Sequence, residues 1–325
     1  MNYSAFKTLV EQSSTITVVQ AENPDADSLG SAIALGEILQ KLGKTVHQHC
    51  AVDIPKYLRY INGWEQVSAE FDTKSDLVII VDTSAESLVE KTMQLFDITT
   101  TPTVIFDHHK SEATIQNATI FNDPTKAATS ELLYECTQEL EWEIPENAAK
   151  AMIYSILGDT LGLTSHGTTN STIATFSSLV IDHNINLGQL DERRRELGKK
   201  PFSIFKYKQA LMSRVEFHFD NQLATVDIPL EEIKEHSDLY NPAALFMEEL
   251  RPVEGIRMAI AFKVYEDRIT AKLREINDAP FCNRLAEHFG GGGHPFAAGF
   301  KVKRTDLAEL KKEVLKQFYD LSEQA

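Results

Sequence analysis

A chain of 325 residues, with 42% hydrophobic and 25% charged residues, has enough apolar material for about two ordinary domains, which excludes a disordered or fibrous protein. Its net charge of −16 disfavours passive binding to long nucleic acid, which depends on basic residues neutralising phosphates. Three scattered cysteines, Cys50, Cys136 and Cys282, exclude a disulfide framework and predict a reducing compartment, read here as the cytoplasm.

No apolar run approaches a membrane span, and MNYSAFKTLVEQ lacks the basic-then-apolar order of a signal peptide. Thr15–Val19 is predicted as a strand and Ser28–Leu42 as the following helix, stopped by Gly43. The loop between them carries Asp25 and Asp27, two residues apart and able to face one point above a sheet. An acidic helix cap is the ordinary alternative. Thr45–Cys50 is a second predicted strand. Leu77–Val81 (LVIIV) is a third, apolar throughout and so buried on both faces. It ends in Asp82, and a helix is predicted over Glu86–Leu95.

Thr103–Phe106 is a short buried strand that stops at Asp107-His108-His109. Such residues need a charged partner if buried. Open α/β sheets bind ligands beyond the carboxyl ends of their strands, where this triplet falls. Helices are predicted over Thr129–Leu140, Glu146–Thr160 and Ser171–His183, and Asp159 lies where the second loses its apolar face. Strands alternating with helices give the fold class: α/β, with a doubly wound, mostly parallel sheet.

Asn184 to Lys200 is polar, basic in its middle and holds two glycines, which suggests a linker. Arg193-Arg194-Arg195 within it is best read as a solvated helix face. The boundaries expected are a catalytic, metal-binding domain over 1–188, a linker over 189–204, and a smaller α+β domain over 205–325. In that second part a helix over Phe202–Phe217 precedes two hairpins: Glu216–Asp220 with Leu223–Ile228, and Ile256–Val264 with Ile269–Arg274. Helix Phe281–Phe289 then runs into Gly290-Gly291-Gly292-Gly293-His294. Strand Gly299–Val302 and an amphipathic helix over Asp306–Ser322 end the chain. Residues 201–325 hold 17 Lys+Arg against 20 Asp+Glu, so the acidic excess belongs to the first 200 residues.

Asp25, Asp27, Asp82, His108 and Asp159, gathered at one sheet edge, could hold two divalent cations, and the imidazole shifts preference from magnesium toward manganese, iron or zinc. The glycine run could wrap an anion with backbone N–H groups. Arg274, at a strand end just upstream, suits a bidentate phosphate grip.

The segments NPDADSLGS, VDTS, FDHH, GDT and GGGGHPFAAGF, in this order, resemble the DHH phosphoesterases with the DHH-associated C-terminal domain. Within them the two-domain plan is most similar to the oligoribonuclease and 3′-phosphoadenosine 5′-phosphate phosphatase group. The resemblance implies two manganese ions, one held by Asp25 and Asp82 and the other by Asp27, Asp82, His108 and Asp159. It implies that His109 contacts the scissile phosphate and that Asp107 orients the histidines. Arg274, Gly291, Gly292, Gly293 and His294 would bind the rest of the substrate. Ala21 stands where the family usually has a histidine. The function so implied is hydrolysis of short oligoribonucleotides or nucleotide 3′-phosphates. The alternatives are a cyclic or linear dinucleotide phosphodiesterase, and a catalytically impaired nucleotide-binding protein. The expected partners are short RNA or a small nucleotide, with neither long duplex nucleic acid nor membrane, and a homodimer is left open.

Overall fold

The computed structural model describes residues 1–250, 252–275, 280–303 and 306–324. The chain divides into two compact units, Met1–Lys199 and Lys200–Ala325. In the first, the strands are β1 (Thr15–Val19), β2 (Thr45–His49), β3 (Val67–Ser68), β4 (Leu77–Val81), β5 (Thr103–Asp107) and β6 (Thr119–Asn122). They form one sheet in the order β3-β2-β1-β4-β5-β6, and every pairing is parallel. The strand order reverses between β1 and β4, so the loops leaving those two strands diverge and open a crevice at the carboxyl edge.

Helices α1 (Ser4–Gln12), α2 (Ala26–Lys41), α3 (Glu90–Met93), α4 (Thr129–Glu139), α5 (Glu146–Asp159), α6 (Asn170–Asp182) and α7 (Leu187–Leu197) complete this unit. The larger core joins Ile16, Val18, Leu77, Ile79, Val81, Val104 and Phe106 to α2, α4 and α5. A smaller one on the opposite face joins Val19, Val78, Ile80 and Ile105 to Val89 and Ile115. Two glycines let α2 and α5 approach closely. A Cβ on Gly30 would lie 2.6 Å from the Ala151 carbonyl oxygen, and one on Gly158 would lie 2.7 Å from the Ala26 Cβ. That approach brings the start of α2 beside the end of α5.

Three features differ from the sequence reading. The helix expected over Glu86–Leu95 is a short 3-10 turn, Glu86–Leu88, followed by α3. Val89 between them leaves helical geometry at φ −132°, ψ 26° while its side chain is buried in the smaller core. The stretch read as linker is largely helical: α7 buries Leu190 and is laced by Asp191 pairing with Arg194 and Arg195 three and four residues on. Helix α1, amphipathic through Phe6 and Val10, has no counterpart in the sequence reading, nor do the short edge strands β3 and β6. Tyr3 and Phe6 of this N-terminal segment pack against Phe106 and Phe121.

The second unit contains α8 (Phe202–Met212), β7 (Glu216–His218), β8 (Leu223–Ile228), α9 (Leu230–His236), α10 (Pro242–Leu250), β9 (Met258–Val264), β10 (Ile269–Glu275), α11 (Cys282–His288), β11 (Gly292–His294), β12 (Ala297–Val302) and α12 (Leu307–Ser322). Its sheet runs β11-β12-β10-β9-β8-β7, antiparallel except for β8 with β9. Helices α11 and α12 cover one face through Leu285, Val314 and Phe318. Helices α8, α9 and α10 cover the β8 and β9 part of the other through Leu211, Ile233 and Phe246. The Asp220-Asn221 turn has left-handed φ at both residues. The sequence reading had no element where α9 and α10 lie. Among the described residues, no helix is long and apolar enough to cross a membrane.

Candidate metal centre

The loops leaving β1, β4 and β5 carry the acidic residues and histidines picked out in the sequence. Asp25 is the N-cap of α2. Its Oδ1 accepts from the backbone N–H of Asp27 at 3.0 Å and of Ser28 at 2.9 Å, and its own N–H donates to Ser28 Oγ. Its capping alternative is therefore realised, with one carboxylate oxygen committed to the helix. Asp27, in the first turn, is fully buried. Its Oδ1 accepts from the hydroxyls of Ser31 and Ser155, and its Oδ2 from the Thr129 backbone N–H at 2.8 Å.

Asp82 follows β4 directly and has a left-handed φ of 64°. A non-glycine residue held there costs on the order of 1 kcal/mol. The bend is fixed by its N–H donating to the Phe106 carbonyl at 2.8 Å, and its Oδ1 accepts from the Thr129 hydroxyl at 3.0 Å. Asp107, the last residue of β5, accepts from the His109 backbone N–H at 3.1 Å, and its Oδ1 lies 2.7 Å from His109 Nδ1. That pairing fixes the second imidazole. Burial alone would raise the Asp107 carboxyl, but its bonds from His109 outweigh this and hold it down at about 2.

The His108 ring ties these loops together. Its Nδ1 is 3.2 Å from the Lys126 carbonyl oxygen, an atom that only accepts, so Nδ1 carries the proton. Its Nε2 is 3.4 Å from Asp27 Oδ2, 3.5 Å from Asp82 Oδ1 and 3.4 Å from Asp159 Oδ2. Asp159 is the last residue of α5, and its side chain is 28% exposed, the most open of the three. Two overlapping groups have ligand atoms within 4.8 Å of one another: Asp27, His108 and Asp159, and Asp82, His108 and His109. Asp25 belongs to neither.

Three carboxylates facing one imidazole nitrogen repel one another unless a positive charge sits among them. Burial, and then the charge of Asp27, push the Asp82 carboxyl well above its usual range. At His108 burial disfavours the proton, yet the bonds to Asp159 and Asp82 prevail and raise the imidazole well above its ordinary value. Without an ion, a proton on Nε2 supplies the missing charge. With one, the neutral ring offers Nε2 as a ligand, its tautomer set by the Lys126 carbonyl. Carboxylate oxygens with imidazole nitrogen fit a divalent cation of the manganese, iron or zinc type.

The sequence reading missed Thr129, Ser31 and Ser155, which hold the carboxylates. Ser31 lies one helical turn from its partner Asp27, and that spacing was available as a signal; Ser155, 128 residues from the same aspartate, had none. Thr129 had none, being 47 and 102 residues from its partners.

The residues assigned to the substrate lie in the second unit. Arg274 is exposed near the end of β10, opposite Ala297 of β12. The run read as an anion-wrapping loop is in part a strand: Gly292–His294 pairs antiparallel with Ala297–Gly299. The glycines are required by close packing. A Cβ on Gly291 would lie 2.2 Å from the Gly299 carbonyl oxygen, and one on Gly293, at φ 136°, would lie 2.6 Å from that of Ala297. The His294 side chain lies outside the described set.

Residues 15–156 match the model of the DHH family, N-terminal domain. The bifunctional oligoribonuclease and PAP phosphatase NrnA of Thermus thermophilus is 27% identical over 296 residues, 90% of this chain and 86% of that one. The cyclic-di-AMP phosphodiesterase PdeA of Listeria monocytogenes is 23% identical over 96% of this chain, which spans 48% of that protein. Among solved structures, an exopolyphosphatase-related protein from Bacteroides fragilis shares the fold, with a TM-score of 0.79, 20% identity, and coverage of 99% of this chain and 95% of that one. Together with the Asp-His-His turn at the carboxyl edge of a parallel sheet, the match identifies residues 15–156 as a DHH family, N-terminal domain.

Proposed function

We propose that this chain is a manganese-dependent phosphohydrolase of short oligoribonucleotides, nucleotide 3′-phosphates such as adenosine 3′,5′-bisphosphate, or both. The observation that carries the reading is the convergence of Asp27, Asp82 and Asp159 on His108 Nε2. The similarity to NrnA over nine-tenths of the chain points to the substrate class. In this reading Asp25 and Asp82 hold one ion, and Asp27, Asp82, His108 and Asp159 hold a second. Two such ions, when bound, would lower the pKa of a water molecule and draw charge off the phosphate. Thr129, Ser31 and Ser155 keep the carboxylates aimed. Asp107 fixes the His109 ring so that it can donate to a phosphate oxygen. The acidic first 200 residues disfavour long polyanions and fit a ligand of a few nucleotides. Three free, buried cysteines fit a reducing cytoplasm.

The similarity to PdeA favours a second reading, a dinucleotide phosphodiesterase using the same residues. Assaying a short RNA, linear and cyclic dinucleotides and adenosine 3′,5′-bisphosphate side by side with manganese separates the two. Turnover of cyclic dinucleotide alone would replace the first reading. No turnover of any, with less than one manganese bound per chain, would leave only a nucleotide-binding protein.

Two mutational outcomes belong to this reading. Arg274→Ala is expected to raise KM for a short RNA about 10–100-fold, the equivalent of a lost charge-assisted hydrogen bond. A small chromogenic phosphodiester should be turned over unchanged, and equal loss on both substrates would point to structural damage. At the first metal position, Ala21 is buried in place of the family histidine. Glu22 is turned away: its carboxylate accepts from the Lys91 backbone N–H and lies 3.9 Å from Lys91 Nζ. Ala21→His should therefore lower the manganese concentration that gives half-maximal activity, while Glu22→Ala should leave it unchanged. Titrating manganese against activity in both variants checks this, and a raised requirement in Ala21→His would overturn it.

A further inference from the structure

The carbonyl that holds His108 belongs to the peptide bond between Lys126 and Ala127, and the other side of that peptide is also engaged. Its oxygen lies 3.2 Å from His108 Nδ1. Its N–H, on Ala127, donates to Glu131 Oε1 at 2.9 Å. One planar amide therefore stands between the imidazole and a carboxylate. Glu131 lies in the first turn of α4 and has no solvent exposure. Its Oε1 accepts a second bond, from the Thr172 hydroxyl of α6 at 3.0 Å. That hydroxyl accepts in turn from the Thr169 backbone N–H at 3.2 Å. The carboxylate is thus fixed from a second helix, and among the described residues no partner reaches its Oε2.

We propose that Glu131 is a positioning residue for the metal centre and acts on His108 through the Lys126–Ala127 peptide. The ring Nδ1–H donates to the carbonyl, the amide N–H donates to the carboxylate, and no proton moves along this chain. A negative charge at its far end polarises the amide and makes the carbonyl a stronger acceptor. The imidazole gains electron density, so Nε2 binds a cation more firmly. The inference rests on the proposed function and deepens it by naming a residue that tunes a metal ligand from outside the cluster.

A plain helix cap is the alternative, since a glutamate in the first turn commonly reaches back to a backbone N–H. Two observations stand against it. A capping glutamate can keep its second oxygen in water, whereas Glu131 is wholly buried. A buried carboxylate with an unpartnered oxygen costs stability rather than adding to it. The neighbouring cation, Lys126, has its Nζ paired with Glu135. The hydrogen-bonded route from Glu131 to a positive charge therefore leads through the amide to His108. Burial pushes the Glu131 carboxyl up, while the bonds from Ala127 and Thr172 oppose this and favour the anion.

Glu131→Gln tests this, because glutamine keeps the shape and an oxygen for Ala127 and Thr172 while removing the charge. The full-length protein is titrated with manganese, with the free ion read by electron paramagnetic resonance. In parallel, the His108 Nδ1–H proton is followed by NMR in the zinc-loaded protein carrying isotope-labelled histidine. The variant should bind manganese about 10-fold more weakly at one site, the low end of the cost for partners beyond the ligands themselves. Its Nδ1–H resonance should move upfield as the bond to the carbonyl weakens. A cap alone leaves manganese binding and this resonance as in wild type, and either result overturns the proposal. A thermal melt in chelator shows whether the variant is folded. If it is not, Glu131→Met, close in shape and with no polar atom to bury, takes its place. It should weaken manganese binding at least as much and shift the same resonance, and wild-type binding overturns the proposal. If wild type itself binds less than one manganese per chain, the function reading fails and takes the proposal with it. If wild type binds manganese and both variants match it, only the role of Glu131 fails.

Discussion

His108→Ala is expected to abolish hydrolysis of short RNA. Its Nε2 lies within 3.5 Å of carboxylates from three different elements: Asp27 in α2, Asp82 after β4 and Asp159 ending α5. Alanine removes a nitrogen ligand and the charge that offsets these carboxylates in the metal-free protein. It also removes the ring that the Lys126 carbonyl holds in place. Disturbing only the shell around a metal ligand typically costs 10–100-fold in affinity or activity. Loss of the ligand itself should exceed about 100-fold. The measurement is turnover of the purified variant beside a manganese count per chain, with circular dichroism to show that it is folded. A folded variant with near wild-type turnover would remove His108 from the metal site.

Much of the scaffold around this residue is legible locally, and the reasons are physical. LVIIV and TVIF can be little else than strands buried on both faces, and each ends where an aspartate begins. Strand and helix alternation then fixes a parallel sheet, and a parallel sheet places those ends at one edge. What is not legible is which aspartate does what. Asp25 and Asp27 are two residues apart and chemically identical, and capping preference accommodates either at a helix start. The close approach of α2 and α5 at Gly30 and Gly158 buries Asp27 beside Ser155 and leaves Asp25 exposed as the cap.

Distance along the chain hides other parts. Thr129 serves Asp27 and Asp82 from a helix start whose own residues give no hint of it. Helix α7 is polar nearly all round, so a search for an apolar face passes over it. Strand β11 has two glycines among its three residues, and glycine carries no side chain from which a two-residue period could be read.

Asp82→Asn should move activity and stability in opposite directions. Asp82 carries three burdens: burial, a left-handed backbone and the nearby charge of Asp27. In the metal-free protein the carboxylates of Asp27, Asp82 and Asp159 face at most one positive charge, on His108. Asparagine keeps the shape and keeps an oxygen to accept from the Thr129 hydroxyl. It also tolerates a left-handed φ as well as any residue but glycine. What it removes is a buried like charge, so the metal-free variant should melt higher than metal-free wild type. Each kcal/mol gained is worth roughly 2–4 °C in a unit of about 200 residues. With manganese the order should reverse. A ligand at 100 times its Kd stabilises the folded state by about 2.7 kcal/mol, and a variant that has lost a shared anionic ligand forfeits much of that. Turnover should fall by more than about 100-fold, beyond the range for indirect disturbance of a ligand. Thermal melts of both proteins in chelator and in excess manganese, with turnover alongside, check all three expectations. A metal-free variant that melts below wild type would show that Asp82 stabilises the empty site. A manganese-induced rise equal to that of wild type would show that it holds no metal.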